Sequence, residues 1–188
     1  MEGIFLDLTT YGYIGLFLYS LGGGFVALLA ASVLSYMGKM DIELVIGIAF
    51  IANFIGDILL FQFARLNKAK VLEQLKGHER KVALSHLLLR KYGSYIVVLQ
   101  KYIQGVRTLI PVTIGLSKYD FKKFLLLNLL GSTIWSLSIG ILGFLTGSYF
   151  VNFIYLIGDK PWIMFIFGGS IGLIIWIFFS LVTKKKKK

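Results

Sequence analysis

Cysteine is absent from this 188-residue sequence, and proline occurs only twice. Without thiols there is no disulfide framework, no thiolate metal site and no cysteine nucleophile. Charge is also scarce. Only 15% of the residues are Asp, Glu, Lys or Arg, where a soluble domain carries about 25%. So little polar surface cannot cover a water-exposed globule. The usual enzyme signals are missing as well. The two histidines, His78 and His86, lie in a basic stretch without an acidic cluster, so no metal site is expected there. There is no P-loop and no Ser-His-Asp arrangement, so neither catalysis nor a cofactor is expected. The opening Met1-Glu2-Gly3-Ile4-Phe5-Leu6-Asp7 has acids where a cleavable signal peptide has a positive region, and none is expected.

What the chain has in abundance is apolar side chains, at 57% of residues and a mean hydropathy of +0.80. With that content global disorder is excluded, and the composition is that of an integral membrane protein. The formal charge of +11 is confined to short segments. Residues 65–91 hold eight Lys or Arg against two Glu, residues 118–123 hold three Lys and Asp120, and residues 184–188 are all Lys. Positive charge placed between apolar runs points to anionic lipid headgroups rather than to nucleic acid.

The apolar runs fall at about 13–37, 42–64, 94–117, 124–150 and 161–183. A spanning helix needs about 20 apolar residues. Two of the runs carry helix breakers. Gly22, Gly23 and Gly24 interrupt the first, and Gly105 with Pro111 interrupts the third. The positive-inside rule puts both 65–93 and 118–123 in the cytoplasm, so the run between them enters and leaves on one side. Run 42–64 then crosses inward, run 124–150 outward and run 161–183 inward, which leaves the lysine tail inside. The N-terminal acids favour an outside start and a first run that is also re-entrant. The expected fold is therefore an all-α membrane protein, one domain over residues 1–183. It comprises two inverted repeats, each a re-entrant hairpin plus a transmembrane helix, and one extra C-terminal transmembrane helix. Such repeats are a common transporter architecture. The linker 65–93 has amphipathic spacing, with Leu66, Val71, Leu72, Leu75, Val82 and Leu87 opposite Lys68, Lys70, Lys76 and Lys81. It reads as one or two helices lying on the cytoplasmic membrane surface.

A few polar residues lie inside the apolar runs. Asp57 sits about 10 Å up a helix from its cytoplasmic end, with Asn53 one turn earlier on the same face. A carboxylate there costs about 2.5–3.5 kcal/mol on insertion scales. It is read as a proton-coupling or counter-ion group, or as the structural partner of Lys101 or Arg107. A break at Gly105 lets Lys101 and Arg107 converge, and with Thr108 and freed backbone donors they suit a phosphate. The alternative is that Asp57 neutralises one cation while the other reaches the interface. Asn128, Ser132 and Ser136, extended by Gly140, form one small polar helix face that serves close packing or lines a polar path with Asn53. Gly168 and Gly172 read as packing positions and Trp162 as an interface anchor. The glycine-rich faces permit a homo-oligomer.

These residues resemble the DedA family, also called the SNARE-associated or VTT-domain family. The likeness rests on Gly56-Asp57 in a helix ending at Arg65 and on Lys91-Tyr92-Gly93. It continues through Lys101 to Arg107-Thr108, Pro111, Gly115 and Phe121-Lys122-Lys123-Phe124, and on to Asn128, Gly131 and Trp135. The family pattern runs approximately Arg-Phe-x-Pro-Gly-x-Arg-Thr, then a Pro and a Gly, and the likeness spans about residues 10–150. It implies two opposed re-entrant hairpins and a bacterial inner-membrane protein of envelope maintenance. It also implies movement of a polyprenyl phosphate such as undecaprenyl phosphate, or a phospholipid such as phosphatidylethanolamine, between leaflets, with proton coupling in some members. Asp57 matches the family's helix acid, and Lys101 and Arg107 match its paired arginines. This chain departs from the pattern with Lys101 in place of Arg, with Gln104 in place of Pro, and with Tyr19-Ser20-Leu21-Gly22-Gly23-Gly24 where many members have an acid and a Pro-rich turn. The expected function is a flippase for a phosphorylated lipid. A small-ion or proton-coupled antiporter and a non-transporting scaffold are the rivals.

Overall fold

The computed structural model describes residues 2–159, except Gln104 and Val106; the side chains of residues 2–10, His78, Glu79, Lys81, Phe153, Ile154 and 156–159 are outside that description. The expected helix 161–183, with Trp162, Gly168 and Gly172, and the lysine tail lie outside the described residues. The described part is all-helical. The chain divides into two units, Met1–Gly147 and Ser148–Lys188, and of the second only the helix α9, Gly147–Asp159, is described.

The first unit starts with α1, Glu2–Leu21, and α2, Phe25–Tyr36. They are separated by Gly22, Gly23 and Gly24. Gly24 takes φ 50 and ψ 19, the left-handed region, and a Cβ there would run into Ser20. A non-glycine residue would be strained on both counts. The long helix α3, Ile42–Leu66, starts where Asp41 accepts from the backbone N–H of Glu43 and Leu44, at 2.8 and 3.0 Å. The Tyr13 hydroxyl accepts from the Asp41 N–H at 2.8 Å and ties α1 to this cap. Glu43 in the first turn and Arg65 in the last complement the helix dipole.

After α3 the chain turns polar. The short helices α4, Lys68–Leu75, and α5, Glu79–Tyr92, with the 3-10 turn Lys76–His78 between them, carry exposed Lys68, Lys70, Lys76, Arg80, Arg90 and Lys91 beside exposed Leu72, Leu84 and Leu87. The single turn α6, Ile96–Leu99, and a 3-10 turn at Gln100–Tyr102 follow. Ordered helix resumes in α7, Leu109–Leu116. Pro111 lies in the first turn of α7 and does not form the break, which falls before it, at Ile103, Gly105, Arg107 and Thr108 among the described residues. A first-turn N–H has no helical acceptor, so the missing donor is tolerated there. The last long helix, α8, covers Phe121–Leu145. Asp120 caps it by accepting from the Lys123 N–H at 2.8 Å, which sets its start ahead of the 124 expected.

Among the described residues, three helical stretches are long and apolar enough to cross a membrane: Ile42–Leu66, Val82–Tyr102 and Phe121–Leu145. The middle one overlaps the expected surface linker. It contains Arg90 and Lys91, both exposed, and gives way to a 3-10 turn at Gly93–Tyr95. At 1.5 Å per residue, α3 and α8 are each about 37 Å long, while α2 and α7 reach only about 18 and 12 Å. A bilayer core is about 30 Å thick, so neither short arm can cross it.

Packing follows a cross-over rule. Helix α1 packs on α3 and α6 on α8, whereas α2 packs on α8 and α7 on α3. Positions at four-residue spacing on α3 explain why. Val45 and Ala49 enter one apolar cluster with Leu16, Leu28, Trp135 and Ile139. Phe61 enters a second with Ile96, Val97, Ile110, Ile114 and Phe124. Between them on α3 lie Asn53 and Asp57. Helix α8 runs the other way, from Phe124 in the second cluster through Asn128 and Ser132 to Trp135 in the first. The result is a thin polar layer between two dry clusters, near the middle of both long helices.

Close approach closes the assembly. Gly56 presents no side chain to the carbonyl of Leu21, which a Cβ would overlap. Gly56→Ala is therefore expected to lower the thermal unfolding midpoint in detergent, by the about 1–3 kcal/mol typical of overpacking. Gly47→Ala, whose Cβ meets nothing within 4 Å, should leave the midpoint unchanged. Equal midpoints for the two variants would refute this account of the α1–α3 contact.

Candidate functional site

The polar layer is organised around Lys101, which is 0% exposed. An ammonium has three N–H donors, and all three are engaged. The Lys101 Nζ donates to Asn53 Oδ1 at 2.6 Å, Asp57 Oδ2 at 2.7 Å and Asn128 Oδ1 at 2.9 Å. Two of these acceptors come from α3 and one from α8. The acceptors are themselves held. Asn128 donates to the Phe54 carbonyl at 3.0 Å, and the Ser132 hydroxyl donates to Asn53 Oδ1 at 3.2 Å. Gln100 Nε2 reaches Asp57 Oδ2 at 3.5 Å. Gly131 leaves room for the lysine stem, since a Cβ there would lie 2.9 Å from Lys101 Cε. Asp57 and Lys101 thus form a buried ion pair at 2.7 Å that Asn53, Asn128 and Gln100 also bond.

Arg107 differs in kind. It is 4% exposed, yet neither Nη1 nor Nη2 has a hydrogen-bond partner among the described residues. Its guanidinium lies 4.5 Å from the Trp135 ring centroid. Gly23, in the α1–α2 break, sits close enough that a Cβ would come within 3.3 Å of Arg107 Cζ and Nε. The ring and the glycine hold the group without using its donors. Other buried polar atoms without partners belong to the same surroundings: Gln100 Oε1, Ser20 Oγ and Trp135 Nε1. Buried polar atoms are almost always paired, so such a group requires an explanation.

Two cavities lie beside the breaks near this region, and neither is lined by Arg107, Lys101 or Asp57. One, of about 720 Å³, is lined by Leu18, Tyr19, Gly22, Gly23 and Tyr102 among others. The other, of about 500 Å³, is lined by Gly22, Gly56, Leu59, Phe63 and Thr108 among others. Gly22 belongs to both linings. Thr108 is exposed at the start of α7 and makes no capping bond with its side chain. Gly105, at φ 89, lies in the second break.

The structure thus gathers Asn53, Asp57, Lys101, Asn128 and Ser132 into one network and sets Arg107 beside it with its donors free. It does not give Lys101 and Arg107 equal roles, because the lysine has no donor left. Sequence reasoning passed over Gln100 and the Trp135 platform. Gln100 had a signal, being a second polar residue next to Lys101 in an apolar run. For Trp135 the sequence alone held no hint of an arginine face.

Fold and site together define a polytopic α-helical membrane protein with a buried charged layer between two broken helical elements. The VTT-domain family signature matches residues 6–145, and the chain belongs to that family, also called DedA. Among its relatives is inner membrane protein YohD of Escherichia coli K12, 27% identical over 189 residues and covering 97% of each chain. Undecaprenyl phosphate transporter A of Staphylococcus aureus is 25% identical over 159 residues, covering 76% of this chain and 78% of the relative. The Bacillus subtilis protein of the same name is 29% identical over 153 residues, covering 75% of each. No solved structure matches the chain.

The pair geometry sets a clear expectation. Asp57→Asn or Lys101→Met alone leaves an uncompensated buried group and should destabilise the protein by about 3–5 kcal/mol. The double variant should cost much less than the sum of the two. Additive losses in detergent unfolding would show that the two side chains are not coupled.

Proposed function

We propose that the protein is a bacterial inner-membrane transporter that passes a phosphorylated lipid, a polyprenyl phosphate or a phospholipid, between leaflets. The observation that carries this reading is Arg107: a buried guanidinium whose terminal nitrogens have no partner among the described residues, beside an ion pair whose lysine has all three donors engaged. An arginine fork binds phosphate through two parallel N–H bonds. Trp135 and Gly23 fix its plane in advance, so less freedom is lost on binding. The relatives named for undecaprenyl phosphate transport support the substrate class.

In this reading Arg107 contacts the phosphate and Thr108 adds a hydroxyl at the mouth of the smaller cavity. Lys101 contributes through its charge while remaining bonded to Asp57, the internal counter-ion. Asn53, Asn128 and Ser132 keep that pair in place and form the polar floor of the path. The two cavities on either side of Gly22 give the headgroup an approach and an exit, and the apolar chain stays in lipid.

The topology that suits this function has two opposed re-entrant hairpins, α1–α2 and α6–α7. The short arms α2 and α7 and the cross-over packing on α8 and α3 support it. The basic helices α4 and α5 would then lie on the cytoplasmic surface against anionic headgroups, with exposed Leu72, Leu84 and Leu87 dipping into the interface. The lysine tail would end on the same side.

Leaflet exchange in proteoliposomes tests the proposal. Labelled undecaprenyl phosphate and labelled phosphatidylethanolamine are assayed separately, with and without a proton gradient. Exchange of one lipid by the wild type, reduced at least tenfold by Arg107→Ala at equal reconstitution, is the expected outcome. Wild-type exchange that survives Arg107→Ala would remove the arginine from the mechanism. No exchange of either lipid under any condition would favour a scaffold or small-ion role.

A further inference from the structure

A buried site has a charge capacity, and here it can be counted. Asp57 and Lys101 cancel each other through their 2.7 Å contact. Arg107 has no ion-pair contact among the described residues and leaves one positive charge.

The elements around Arg107 add nothing further among the described residues. The Gly22–Gly24 segment carries no ionisable group, and α2 and α7 contribute no charged residue. Helix α8 presents Asn128, Ser132 and Trp135 to the layer, none of them ionisable in the ordinary range. On α3, Arg65 is spent at the far end, where it donates to the carbonyls of Ser117 and Tyr119. Asp41 and Asp120 are likewise committed to helix N-termini. Tyr102 is paired with Ser138 at 2.7 Å, and Tyr19 is 63% exposed.

We propose that this site accepts one negative charge, so that a phosphate monoester is carried in its singly protonated form and the coupled proton travels on the substrate. The inference rests on the lipid-phosphate reading above and adds the ionic form of the substrate. A phosphate monoester in water at neutral pH is largely doubly charged, since its second pKa is about 6. Placed beside Arg107 as the dianion it would leave one negative charge uncompensated in a low-dielectric layer, which is strongly disfavoured. Taking one proton from water on the entry side converts the dianion to the monoanion and neutralises the site. The same proton is released to water on the exit side as the phosphate re-ionises. The Asp57–Lys101 contact at 2.7 Å is kept intact in this scheme, since breaking it would leave a lysine that is 0% exposed without its ion-pair partner. A phosphodiester has a single charge at all working pH values and needs no proton.

The test is equilibrium binding to the full chain in nanodiscs of zwitterionic phosphatidylcholine. The probes are farnesyl phosphate and its methyl ester, which share a chain and differ in the second ionisation. For the wild type, farnesyl phosphate should bind roughly fifty-fold more weakly at pH 8 than at pH 6, the ratio set by a second pKa of about 6. The methyl ester should bind equally at both. Asp57→Asn raises the site charge by one and should flatten the farnesyl phosphate profile. Asp57→Asn with Lys101→Met restores the original charge and should bring the pH dependence back. The wild-type profiles carry the test even if a variant fails to fold. Farnesyl phosphate binding that is level between pH 6 and pH 8, and lost in Arg107→Ala, would overturn the charge rule and leave the phosphate site standing. Binding that is unchanged in Arg107→Ala, or that is absent from the wild type with both probes, would overturn the phosphate site itself and the charge rule with it.

Discussion

An ammonium group in the middle of a membrane-sized helical bundle must have three acceptors, and most of this structure serves that need. Lys101 comes from a broken segment and its acceptors from two long helices, so α3, α8 and the α6–α7 region have to meet at one level. The polar layer can exist only because the acceptors are bonded in turn: Asn128 to the Phe54 carbonyl and Ser132 to Asn53. Removing one member would expose the next. The layer therefore specifies the register of α3 against α8. A slip of one turn would place Asn53 and Asp57 against the apolar clusters. Burial of charge gives little net stability on its own, but it penalises every wrong alignment of otherwise interchangeable Leu, Ile and Phe surfaces.

The two cations show how local geometry divides one chemical type into two roles. Lys101 is a compact point charge on a flexible stem, able to turn its three donors toward three separate oxygens. Arg107 is a rigid plane, best held by flat neighbours and best used by an oxyanion in that plane. The structure gives each what suits it. The lysine is enclosed by side-chain oxygens, and the guanidinium lies against an indole face and a glycine. Gly23 has a second effect here. It brings the first broken element into contact with a cation of the second, so the two halves share the site rather than each holding one of its own.

Much of this was legible in the sequence because exceptions to an apolar pattern stand out. Asp57, Lys101 and Arg107 are charged where neighbours are Ile, Leu and Phe, and Asn53, Asn128 and Ser132 fall at helical spacing. The glycines at 22–24 and 105 mark interruptions through backbone freedom, a local property. The long helices were legible for the same reason, as the apolar runs 42–64 and 124–150, although the caps Asp41 and Asp120 were not read and the second helix ends at Leu145 with a new helix from Gly147. What was hidden depends on contacts distant in sequence. The separate fates of Lys101 and Arg107 follow from how many oxygens lie near each, which spacing does not encode. Trp135 could be counted as an aromatic, but its face could not be assigned to Arg107. Pro111 was read as a breaker because proline in a helix interior is one. Its actual place in a first turn depends on where the helix starts, which the break at 103–108 decides.

The broken elements and the satisfied pair answer one physical problem. A straight helix offers its backbone groups only to itself, so it can bury a charge but cannot hand a phosphate from one side to the other. Interrupting α1–α2 at Gly22–Gly24 and the α6–α7 region at 103–108 brings chain ends and small residues to the level of the polar layer, where α3 and α8 are still continuous. The continuous helices supply rigidity and the fixed counter-charge. The interrupted ones supply Arg107, Thr108 and two cavities that share Gly22. A fully neutralised layer would offer an anion nothing to offset its desolvation, and a layer with two free cations would hold it too tightly to release. One satisfied pair beside one unpaired guanidinium lies between these limits. In the proposed reading it would attract a single negative charge and leave a cost on any second one, which would suit a group that must arrive and depart.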